Sequence, residues 1–161
     1  MAYVSKEDKA KLTPGIKAVL KKYGMKGSIS VRNYSGLVVK LTSGPLDILG
    51  DYKRGCVQDT RIDLSNPSDV ERVNYRLEAT YIDVNSYYLN ETYTGQIKAF
   101  MQELHSAMEG ENFFNHDDGM TDYFHRSHYT YIYVGGYNKP YTCTGQEATF
   151  APVELIVHEH A

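Results

Sequence analysis

The sequence has no tryptophan and only two cysteines, Cys56 and Cys143. Two cysteines so far apart form neither a CxxC pair nor a disulfide framework, and their expected state is the reduced thiol of a cytosol. Proline is sparse, at 5 residues, and no Pro-rich or Gly/Ser-rich linker, internal repeat or low-complexity block divides the 161 residues. That length and continuity predict one domain over residues 1–161. Long apolar runs are missing too. Stretches such as 37–39 and 155–157 fall far short of the ~20 residues that a membrane-spanning helix needs, so no membrane partner is expected. Residues 1–11 are too polar for a secretory signal. P-loop, GxGxxG, GxSxG and HExxH motifs are all absent, and no Ser-His-Asp or Cys-His order stands out. No cofactor is expected.

What the sequence does hold is tyrosine, 15 residues against 5 phenylalanines, and a charge bias hidden by a net charge of −3. Residues 1–54 carry 11 Lys/Arg against 4 Asp/Glu, whereas residues 55–161 carry 6 against 16. A polyanion would therefore dock on the first third of the chain.

Hydrophobic periodicity outlines the elements. Ser5 to Asp8 resembles a capping box, and Thr13-Pro14 is the stronger helix start, with Leu12, Ile16, Val19, Leu20 and Tyr23 in a stripe and Gly24 as the stop. Two short strands, 28–32 and 37–42, flank a turn at 33–36. Residues 46–78 give little pattern beyond a short helix started by Asn66-Pro67. A strand at 80–88 precedes the clearest helix, residues 94–108, with Thr94 as cap and Ile97, Phe100, Met101, Leu104 and Met108 on one face. Strands at 128–134 and 153–157 close the order. The predicted fold class is α+β, a small, mostly antiparallel sheet with two amphipathic helices on one face.

Three features bear on function. His105, His116, Asp117, Asp118, Asp122, His125 and His128 form a polar cluster. Its plain reading is turn capping. Its chemical reading is a metal site in which Asp122, His125 and His128, spaced by three, converge on one helical turn and serve a nuclease or phosphodiesterase. Next, Tyr129, Tyr131 and Tyr133 alternate with Thr130, Ile132 and Val134, and Tyr81 and Tyr87 share the face opposite Ile82 and Val84. Tyrosines on an outer sheet face suit cross-strand packing, a protein interface or base stacking. Lastly, Lys17, Lys21 and Lys22 belong to a basic helix, either as its solvated face or as phosphate contacts.

Residues 113–125, above all Met120-Thr121-Asp122-Tyr123-Phe124, resemble a signature of the large polyvalent protein associated domains of antirestriction-type polyvalent proteins and of related small phage proteins. The lysine-rich first helix, the two strands after it and the strand at 81–85 fit the same order, so the resemblance spans about two thirds of the chain. His125 departs from it, because Asp is usual there, and 46–78 match nothing in it. The resemblance implies a phage or mobile-element setting and antagonism of host systems. It carries no reaction. The expected function is binding of a host protein in the host cytoplasm through Tyr129, Tyr131 and Tyr133, with Asp117, Asp118, Asp122 and Tyr123 beside them. Nucleic-acid or nucleotide sequestration and metal-dependent hydrolysis are the alternatives.

Overall fold

Helix α1 (Lys6–Lys22) starts at a reciprocal capping box, in which the Asp8 N–H donates to Ser5 Oγ at 3.0 Å and the Ser5 N–H to the Asp8 carboxylate at 3.1 Å. The computed structural model describes residues 2–115 and 127–157. Thr13-Pro14, expected to open this helix, lie inside it. The capping box satisfies two orphan donors at once, while Pro14 forfeits one ladder bond and the Thr13 hydroxyl donates back to the Lys9 carbonyl at 2.6 Å.

Strands β1 (Lys26–Arg32) and β2 (Gly36–Gly44) form a hairpin that reverses through Asn33 and Tyr34, both at left-handed φ, 51° and 53°. The chain then builds α2 (Ile48–Gln58), α3 (Pro67–Leu77), β3 (Ile82–Val84), a 3₁₀ turn (Ser86–Tyr88), α4 (Leu89–Thr92) and α5 (Gly95–Glu109). It returns as β4 (Tyr129–Val134) and a two-residue β5 (Thr142–Cys143). The sheet order is β1-β2-β4-β3, with β5 paired to the end of β2.

The α+β class holds, but the sheet is mixed rather than mostly antiparallel. Its central pair, β2 and β4, is parallel, from Gly36 opposite Tyr129 to Leu41 opposite Val134. A parallel pair needs a long crossover, and the helices between β2 and β4 supply it.

One face of the sheet presents Leu37, Val39, Leu41, Ile82, Val84, Ile132 and Val134 to a core closed by Ile16 and Leu20 of α1 and by Phe100, Met101, Leu104 and Met108 of α5. Of the predicted stripe of α5, Phe100, Met101, Leu104 and Met108 are fully buried, as their 3.6-residue spacing requires, and Ile97 in the first turn is half-buried. Lys22 reaches Glu103 at 2.6 Å, the Tyr23 hydroxyl donates to the same carboxylate, and Tyr23 meets Phe100 edge-on, so the C-terminal end of α1 is fastened to the middle of α5. Thr94 precedes α5, but its side chain does not cap the helix. Its N–H and hydroxyl instead donate at 2.8 and 2.7 Å to Asp51, a buried carboxylate on α2.

Three expectations need correction. The strand at 80–88 stops at Val84, because the Asn85 side chain accepts the Tyr87 N–H at 3.0 Å and turns the chain into the 3₁₀ segment, so Tyr87 shares no strand face with Tyr81. Residues 153–157 form no strand. The Asn74 amide pairs with both backbone groups of Val153, at 2.7 and 3.0 Å, and the Ile156 N–H donates to the Leu64 carbonyl at 2.8 Å, so side chain and loop replace a ladder. Residues 46–78 hold two helices: α3 follows the Asn66-Pro67 signal, while α2, interrupted by Gly50 and Gly55, is capped by Asp47 accepting the Gly50 N–H at 2.9 Å. Among the described residues no helix is long and apolar enough to cross a membrane.

Candidate functional site

The β-strand alternation that buries Ile132 and Val134 projects Tyr129, Tyr131 and Tyr133 from the opposite face, each partly exposed. β2 places Gly36, Val38 and Lys40 beside them, and β1 adds Ser28, Ser30 and Arg32 in the next row. Gly36 is what lets the rows close up. A Cβ there would lie 2.5 Å from the Tyr131 ring, so the ring rests on bare backbone. The Arg32 guanidinium stacks 5.4 Å from the Tyr131 ring centre and donates from Nη1 to the Tyr133 hydroxyl at 2.6 Å. Val38, although it belongs to this outer face, is buried.

At the β3 side the tyrosines border a cleft of about 650 Å³. Asp83, Tyr87, His105, Glu109 and Phe113 complete its walls. His105 and Glu109, one turn apart on α5, pair at 3.1 Å. The cleft thus combines aromatic rings with donors and acceptors of both charge signs, a composition suited to recognition.

His128, which precedes β4, also reaches the wall of this cleft. It is buried, meets Phe113 edge-on, and its Nε2 lies 2.8 Å from the Met108 carbonyl. A carbonyl only accepts, so Nε2 carries the proton and donates, and His128 thereby caps one of the orphan carbonyls at the end of α5. His116, Asp117, Asp118, Asp122, Tyr123 and His125 lie outside the described residues. Among the described residues no three His, Cys, Asp or Glu side chains come together as a metal site.

Of the basic trio, Lys22 is committed to Glu103, and the Glu103 carboxyl is held below the usual carboxylate range by hydrogen bonds from Lys22 and Tyr23. Lys17 and Lys21 remain exposed.

The chain matches no protein-family model, no curated protein and no solved structure.

Sequence reasoning placed the tyrosines on one face but left out Arg32, their partner. The signal was present in the hairpin register, which sets Arg32 opposite Gly36 and so next to a strand position with no side chain to block its reach. Tyr87, Glu109 and Phe113 were also missed as cleft residues, because they sit on the 3₁₀ turn, α5 and the segment after it, separate from β4 in sequence.

Proposed function

We propose that this chain is a small accessory protein of the phage or mobile-element type that binds a host protein in the host cytoplasm and inhibits or redirects it. The observation that carries the reading is the Tyr131–Arg32–Tyr133 cluster, set on rigid strands and held in place before any partner arrives. Tyrosine and arginine are the residue types that dominate binding energy at protein interfaces, and rings fixed in advance lose little entropy on docking. The resemblance of residues 113–125 to the polyvalent protein associated domains supports the phage setting.

Nucleic-acid sequestration is the second reading, favoured by exposed rings sharing a face with Arg32 and Lys40. The two separate by salt and by mutation. Partners captured from host lysate are identified by mass spectrometry and re-measured as purified proteins. Under the protein reading, Tyr131→Ala weakens binding by ~2 kcal/mol with melting unchanged, and Lys21→Ala changes it little. Binding that collapses with salt and with Lys21→Ala while Tyr131→Ala does nothing overturns the protein reading in favour of a polyanion.

A further inference from the structure

We infer that the outer edge of β1 is a strand-addition site for an extended, acidic segment of the partner; the inference rests on the protein-binding reading above and names the chemistry that the partner presents.

Two hydrogen bonds fix which backbone groups are committed. The Tyr129 N–H donates to the Ser35 carbonyl and the Gly135 N–H to the Leu41 carbonyl, each at 2.8 Å. Odd-numbered residues of β2 therefore direct their backbone to β4, and Gly36, Val38 and Lys40 direct theirs to β1. Their β1 partners are Arg32, Ser30 and Ser28. The N–H and C=O groups of Gly27, Ile29 and Val31 consequently point away from the sheet. Among the described residues no strand pairs with them.

Natural sheets protect such edges. The opposite edge strand, β3, is only 3 residues long. β1 has 7, all exposed except the half-buried Ile29, and its single irregularity lies at the far end, between Lys26 and Gly27. Such an edge suits peptide recognition by strand addition, in which main-chain bonds supply affinity and alternate side chains supply specificity.

The charge selects the occupant. No Asp or Glu occurs between Asp8 and Asp47, so the later part of α1 and both strands of the hairpin carry basic charge alone. Lys26 and Arg32 stand at the two ends of β1, both exposed. A second copy is a poor fit, because two-fold antiparallel pairing about Ile29 sets Lys26 directly opposite the other copy's Arg32. A nucleic acid satisfies the charge but not the edge, since phosphate oxygens cannot donate to the outward carbonyls. An extended segment with apolar side chains on the Ile29 and Val31 face and carboxylates on the Arg32 face satisfies both.

The probe is a synthetic peptide alternating valine and glutamate, N-methylated at alternate residues so that only one of its edges can pair. Hydrogen–deuterium exchange on the full chain should show new protection at Gly27, Ile29 and Val31. Val31→Pro removes an outward N–H without touching the β2 ladder and should weaken peptide binding about tenfold with melting unchanged. Lys26→Glu keeps every backbone donor and should weaken the glutamate peptide while admitting its lysine counterpart. Protection that maps elsewhere, equal binding by Val31→Pro, or equal binding of the lysine peptide to the unmodified chain overturns the inference. A single-stranded oligonucleotide that protects the same amides in both the unmodified chain and Val31→Pro replaces it with a polyanion site. Partner capture distinguishes the two proposals: loss with Tyr131→Ala but retention with Val31→Pro leaves the tyrosine reading standing and removes strand addition.

Discussion

Asp51 is a single side chain on which two helices depend. Buried on α2, it accepts both the N–H and the hydroxyl of Thr94 at the N-terminal end of α5, where a negative charge also meets the positive end of the helix dipole. Asp51→Ala leaves that amide without its acceptor and should cost about 3 kcal/mol by denaturant unfolding, whereas Thr94→Ala, which keeps the backbone bond, should cost about 1 kcal/mol. A different carboxylate contributes to the acid limb, beside Asp8 and Glu103, which are also held below the usual carboxylate range. Three bonds from Arg61, two from its guanidinium and one from its backbone N–H, hold Asp59 down to about 2, from an ordinary 3.8. A depressed folded-state pKa contributes stability that is complete above 3.8 and is lost as pH falls toward 2. Melting temperatures recorded across that window should therefore fall less steeply in Asp59→Asn than in the unmodified chain. Asp59 is half-buried but its partner Arg61 is exposed, so added salt should shrink the difference.

At the scale of elements, legibility in the sequence tracked how strongly one periodicity dominated. α5 and β4 were readable because each buries one unbroken stripe, and Phe100→Ala should cost ~3–5 kcal/mol accordingly, measured by reversible unfolding. α1 was read in the right place but started too late, since a proline at a first-turn position and a proline inside a helix look alike until the capping box is weighed against them. α2 was not readable at all: two glycines break its stripe, and its burial depends on Thr94 and the core beyond it rather than on its own pattern. The run at 153–157 has the composition of a strand, but the Asn74 side chain takes up both backbone groups of Val153 and holds the run beside α3 instead. Asn74→Ala should release that tail to proteases while shifting the melting temperature by under about 2 °C, because the bonds lost are partly exposed. The candidate face was legible as three alternating tyrosines. Arg32 was legible only through the hairpin register, and the cleft walls not at all, because the crossover that brings them to β4 is not local.

For the whole molecule, the parallel partnership of β2 and β4 has a kinetic consequence. β2 meets β1 across a tight turn, but it meets β4 only after the long chain between Gly44 and Tyr129 has been gathered in. Contacts between residues close in sequence form early and those that close long loops form late. One strand should therefore acquire its two neighbours at different times. Amides along β2 alternate in allegiance, with Val38 and Lys40 donating toward β1 and Leu37, Val39 and Leu41 toward β4. Pulse-labelled refolding should thus write a every-other-residue record into a single strand: slowed exchange at Val38 and Lys40 first, with Leu37, Val39 and Leu41 still open to solvent until the crossover is complete.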